Sequence, residues 1–317
     1  MTPRSRADAG FSMLEATIVF LIVTLLTGMI SQSLMSLSRN QRWSERQTGA
    51  LGKAEQLVHG IQNDLEVAVR VFPESAASRA VLARLALGES APIEGSRMPL
   101  ATSRGWFEPD APGAQEAGNL LVLARSLPAI EVGTGYGSQT ARIDRYQFVV
   151  YCLTLDGARL DIDRWASVPL ARADDIAAVF DPDARANVVM GLLAAGVPLA
   201  WRPEDPVIDT SLYEMSPTGS APRLGTNVAI PAGNGEIRRH LLERAKLGVA
   251  RNGRIGAVRV PAYAHDLPGH PHGFEIKLDG DGAGRLLLVR LVVAGEVRPG
   301  EPPVASAVER LVSVREP

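Results

Sequence analysis

Glu15 is the one charged side chain in a run that is otherwise apolar from Phe11 to Ile30. A carboxylate in lipid costs on the order of several kcal/mol unless something positive pairs with it. No Lys or Arg from 11 to 38 supplies that charge, and Arg4 and Arg6 lie more than two helical turns away along the chain. Cleavage after Gly10 would change the balance, because the new α-amino group on Phe11 would sit one turn from Glu15. It would also be within reach of Glu15 on a neighbouring chain staggered by about a turn. If the chain is cut there, Gly10, Phe11 and Glu15 supply an ammonium–carboxylate pairing.

Other residue groups carry weaker chemistry. Asp279 and Asp281, in LDGDGAGRL, have the look of a calcium loop. They lack the later bidentate glutamate and the flanking helices of an EF-hand. A hairpin turn is the expected role, since Asp-Gly supplies the positive φ that such turns need. His265, His270 and His272 lie in AYAHDLPGHPHGFE, where two histidines two apart can share a metal. No third ligand follows at a convincing spacing, so these read as a solvated loop. GTGYG at 133–137 precedes a strand rather than a helix, so it lacks the helix N-terminus on which a phosphate cradle depends. Cys152 is the sole cysteine, which excludes an internal disulfide, and its alternating surroundings RYQFVVYCLTL mark it as a buried inert thiol.

One cluster is basic: Arg238, Arg239, Arg244, Lys246, Arg251 and Arg254. It contains Glu243 and no aromatic residue for stacking on bases, so a solvated helix face is expected and no nucleic-acid partner. The net charge of −2 agrees, as it gives no global attraction to nucleic acid or to an anionic surface. No G-x-S-x-G, no phosphate-binding Walker loop and no paired catalytic carboxylates occur, so the chain carries no sign of an enzyme and calls for no cofactor.

These residues need elements to position them. The apolar run is about twenty residues long, the length that crosses a bilayer core. No proline falls between Pro3 and Pro73, so one helix is expected from about Phe11 to Val71. Its second half spaces Leu51, Ala54, Leu57, Val58, Ile61, Leu65 and Ala68 three and four apart, as one buried stripe. Arg46, Lys53, Glu55, Gln62, Asp64 and Glu66 fall at other positions, expected to face solvent. Beyond Phe72-Pro73, helical phrases are expected at SRAVLARLAL, from ADDIAAVFD to MGLLAAG, and at GEIRRHLLERAKLG. Strands are expected at NLLVLARSL, RYQFVVYCLTL, FEIKLDG and GRLLLVRLVVAGEV. The terminal PPVASAVERLVSVREP reads as a closing strand or a packed tail. With 46% hydrophobic residues the chain can bury a core, and the fold class expected is α+β.

The stretch Gly10-Phe11-Ser12-Met13-Leu14-Glu15, followed by the apolar helix, resembles the cleavage and methylation motif of type IV pilins and type II secretion pseudopilins. The resemblance implies leader removal after Gly10 by a prepilin peptidase and N-methylation of Phe11. It also implies an assembly role for Glu15 in a filament of other major and minor subunits. Ser12-Met13 replaces the commoner Thr-Leu of that family. The absence of a proline about twenty residues into the mature helix, and the chain length, favour a minor subunit. The helix end LGKAEQLVHGIQNDLEVAVRVF and the strand RYQFVVYCLTLDGARLDIDRW further resemble J-type pseudopilins and W-type minor pilins. The parts expected are a leader at 1–10, a transmembrane and assembly helix at 11–37, its amphipathic continuation at 38–72 and a periplasmic α+β domain at 73–317. The rival expectation is a membrane-tethered periplasmic binding protein or hydrolase that uses the helix only as an anchor.

Overall fold

The long helix α1 runs from Met13 to Glu66 without interruption in the computed structural model. The described residues are 12–85, 87, 92, 95–107, 116–156, 159–167, 169–195, 197, 200–201, 239–245, 248–249, 273–280, 284–294 and 305–315. The chain divides into two units, Met1–Gly49 and Ala50–Pro317, so α1 contributes to both. In the first unit the described side chains are exposed nearly throughout, with Phe20 at 74% and Met29 at 65%.

In the second unit α1 is followed by β1 (Ala68–Val71), α2 (Ala76–Arg84), β2 (Ala101–Thr102), β3 (Leu120–Gly133), β4 (Thr140–Asp156), β5 (Arg159–Ser167) and β6 (Leu170–Arg172). Two short helices, α3 (Ala173–Ala177) and α4 (Pro182–Ala194), precede β7 (Ala200–Trp201), β8 (Arg239–Ala245) and β9 (Gly248–Val249). The last strands are β10 (Phe274–Asp279), β11 (Arg285–Ala294) and β12 (Ala305–Val314). One sheet has the order β1-β3-β4-β5-β8, with β6 beside β4 and β7 beside β6. The other has the order β12-β11-β10-β2, with β9 beside β11. A long helix followed by a sheet-rich unit is the α+β class that the sequence led us to expect.

The alternation along β3 and β4 explains how the layers stack. Leu121, Leu123, Val149, Tyr151 and Leu153 point to one face, where they join Ala54, Leu57, Val58, Ile61 and Leu65 of α1. Phe274, Ile276 and Leu278 of β10, with Leu287, Val289 and Leu291 of β11, enter the same core, so this half of α1 is held by both sheets. Each buried Leu or Ile contributes roughly 1.5–3 kcal/mol. The opposite parity, Leu120, Val122, Phe148, Val150 and Cys152, faces a second core with Phe72, Val81, Leu85 and Met98. The Cys152 thiol is buried there. A third core joins Val132 and Ile143, at the far end of the β3–β4 pair, to Val188, Val189 and Leu192 of α4.

Three local expectations are corrected. The helix does not reach Val71: it ends at Glu66, and β1 pairs antiparallel with β3 from Ala68↔Arg125 to Val71↔Leu123. Val67, Val69 and Val71 lose rotamer freedom in a helix and fit a pleated edge, so the available edge of β3 decides. The phrase around GEIRRHLLERAKLG is not helical over its described part. Arg239–Ala245 forms β8 on the edge of β5, with Ile162↔Ala245 and Ser167↔Arg239 as the ends of the register, because strand pairing overrides a modest helix preference. Asp64 is not solvated: it is 3% exposed. The terminal segment, open between strand and tail, is strand β12, paired along its whole length with β11.

Candidate functional site

Gly10 and Phe11 lie outside the described residues, as do Asp281, His265, His270, His272, Arg238, Lys246, Arg251 and Arg254. Ser12 and Glu15 are described, and they close a reciprocal cap at the start of α1. The Ser12 backbone N–H donates to Glu15 Oε2 at 3.0 Å, and the Glu15 N–H donates to Ser12 Oγ at 3.3 Å. This is the S-x-x-E capping box, which satisfies two of the backbone donors that every helix leaves open at its N-terminus. The signal stands in the sequence as Ser12-Met13-Leu14-Glu15, where the partners of Glu15 are a hydroxyl residue and a backbone N–H rather than a cation. The carboxylate also gains from the positive end of the helix dipole. Glu15 therefore has a neutral partner in its own chain before any neighbour is considered.

The helix after Glu15 is built for an apolar solvent. No charged residue occurs from 16 to 38, and the most apolar window has a mean hydropathy of 2.2 with none of it buried. The helix is long and apolar enough to cross a membrane. Thr17, Thr24 and Thr27 would be costly in lipid with free hydroxyls. Each donates to the carbonyl four residues earlier, Met13, Phe20 and Val23 respectively, at 2.8 Å. These bonds leave no hydroxyl of the three unsatisfied, which is the condition that hydrocarbon imposes.

A second polar constellation lies in the core between α1 and the first sheet. Asp64 Oδ1 accepts from Arg125 Nη1 at 2.6 Å and Arg164 Nη2 at 3.1 Å. Its Oδ2 accepts from Arg164 Nε at 2.8 Å and the Tyr151 hydroxyl at 2.6 Å. Arg125 also donates to Gln147 Oε1, and Gln147 Nε2 donates to the Ser167 carbonyl. Burial pushes the Asp64 carboxyl up. The Arg164 and Tyr151 hydrogen bonds and the two guanidinium charges outweigh it and hold the group below its ordinary value. Tyr151 moves the other way, raised by burial and by the Asp64 charge. One carboxylate, two guanidiniums and a phenol, all with partners, make a fastening rather than a reactive centre. The fastening joins α1 to β3, β4 and β5.

Asp279 closes a loop rather than standing free for a metal. Its Oδ1 accepts from Thr102 Oγ1 at 2.6 Å and the Arg104 N–H at 2.8 Å, and its Oδ2 accepts from the Gly105 N–H at 2.8 Å. Burial pushes its carboxyl up, and these three bonds hold it below the usual value. Next to it Gly280 has φ 101° at the turn between β10 and β11, which pair antiparallel from Phe274↔Leu291 to Asp279↔Leu286. The hairpin expected from Asp-Gly is thus present. Among the described residues no group of three His, Cys, Asp or Glu side chains is placed to hold a metal. The glycines of GTGYG serve the turn from β3 to β4, where Gly135 and Gly137 have φ of 86° and 59°. Comparison with family models, curated proteins and solved structures gives no match.

Proposed function

We propose that this chain is a prepilin-like minor subunit: a single-pass inner-membrane protein whose C-terminal unit is periplasmic. It joins a type IV pilus or a type II secretion pseudopilus after cleavage by a prepilin peptidase. One observation carries the reading. A single acid, Glu15, stands at the threshold of a span without charge from 16 to 38, four residues after Phe11 of the Gly10-Phe11 junction. The back-bonded threonines of α1 support a lipid or helix-bundle setting for that span. In this account the Phe11 α-amino group of one chain meets Glu15 of another, and lateral packing of apolar helices supplies cohesion. Its partners are the peptidase, other pilins or pseudopilins and membrane lipid.

The intact mass of the protein purified from membranes tests the reading. Loss of residues 1–10 together with one added methyl group is the expected result, and Gly10→Arg is expected to block both. Glu15→Ala is expected to insert in the membrane yet stay out of filaments, read by recovery in sheared filament fractions. Normal incorporation of that variant would remove Glu15 from assembly. The capping box favours a second reading, because it accounts for Glu15 within one chain: a membrane-tethered periplasmic binding protein or hydrolase. A mass beginning at Met1 would select that reading.

A further inference from the structure

The last strand, β12, pairs with β11 along ten residues, from Arg285↔Val314 to Ala294↔Ala305, with no bulge. It stands at the end of its sheet, so among the described residues its other edge carries no strand. An edge of this length leaves about five backbone N–H and five C=O groups turned outward. Edges are usually short, bulged or covered to prevent pairing with another chain. Over its described length this one is neither short nor bulged, and the guard it carries is charge, at Glu309 and Arg310; Ala307, Glu309, Leu311 and Ser313 are all exposed, Leu311 at 60%.

The side chains say what kind of strand would fit. Val308 and Val312 lie on the core face and are 6% and 5% exposed. Arg310 lies between them on the same face, opposite the buried Val289, yet is itself exposed. Among the described residues its guanidinium donates to the neighbouring Glu309 carbonyl alone, at 3.2 Å. The Glu309 carboxylate is engaged elsewhere, with Arg290 Nε at 3.4 Å. A cation at the rim of an apolar face rejects a basic or wholly apolar strand and accepts one with a carboxylate at that position.

The geometry points to β12 as a docking edge for an extended segment of another polypeptide, added as a further strand. That segment places apolar side chains beside Val308 and Val312 and a carboxylate beside Arg310. Backbone hydrogen bonds supply the binding and the Arg310 pairing supplies the selectivity. The inference is independent of the filament reading, since it uses only the second unit of the chain.

The test uses the full-length protein in detergent micelles and two labelled peptides, capped at both ends: Thr-Val-Thr-Glu-Thr-Val-Thr and the same peptide with Lys in place of Glu. The Glu peptide is expected to bind at least about tenfold more tightly, a difference of about 1.4 kcal/mol. It is also expected to slow hydrogen exchange at outward-facing β12 amides that exchange quickly in the free protein. Arg310→Glu, at an exposed position, is expected to reverse the preference. Equal binding of the two peptides, no binding of either, or an unchanged preference in Arg310→Glu would overturn the assignment. So would β12 amides already slow in the free chain. Protection that rises with protein concentration in the absence of peptide would make a second copy the occupant and overturn the hetero-segment.

Discussion

Asp64 shows what a single residue decides. It stands in the polar phrase QND, and periodicity assigns it to the wet side of the helix. In the folded unit it accepts four hydrogen bonds from two arginines and a tyrosine. Asp64→Ala leaves two guanidiniums and a phenol without their acceptor in a site where the aspartate side chain is 5% exposed. The expected loss is about 3–5 kcal/mol, read as a fall in denaturation midpoint with unchanged m. The pH dependence follows from the direction of the shift. The folded carboxyl titrates below its unfolded value near 3.8, so its stabilisation is complete above about pH 4 and is lost as pH falls through the lowered folded value. Asp64→Asn is expected to flatten that acid limb in a pH series of denaturation midpoints. Tyr151 acts at the other end: its raised pKa keeps a proton in the folded state that the unfolded chain releases above about pH 10, so stability falls there.

At the scale of elements, sequence patterns located α2 and most of the long strands, because three- and two-residue periods are local properties; the single helical phrase expected from ADDIAAVFD to MGLLAAG is two helices, α3 and α4, separated at 178–181. The patterns failed where an unpaired edge competed with helix preference. The chain after Glu66 became β1 because β3 offers it an edge, and Arg239–Ala245 became β8 because β5 does. Gly118 belongs to this scale as well. An isolated bridge joins it to Ile276 of β10, and the segment 97–99 crosses so close that a Cβ at 118 would lie 2.4 Å from Met98 C and Pro99 N. Neither backbone atom can swing aside as a flexible side chain would. Gly118→Ala is expected to cost about 1–3 kcal/mol, the range of an overpacked core, as a lowered thermal midpoint. Nothing in its neighbourhood, PGAQEAGNLL, distinguishes Gly118 from a turn glycine.

For the whole molecule, the division at Gly49 and Ala50 gives a direct expectation. A chain that begins at Ala50 keeps Ala54, Leu57, Val58, Ile61, Asp64 and Leu65 and is expected to be soluble without detergent, with a β-rich circular dichroism spectrum. One that begins at Val67 lacks the helix that fills the principal core and is expected to aggregate, read by size-exclusion chromatography. The sequence by itself determined the span that can cross a membrane, the acid at its start, the buried stripe of the second half and the α+β class. All of these follow from composition and period within a short window. Only the tertiary structure decided the burial of Asp64, the helix end at Glu66, the strand at Arg239–Ala245 and the place of β12 at the end of its sheet among the described residues. Each of those depends on which distant strand or charge the fold brings alongside, and a local pattern holds no record of a partner many residues away.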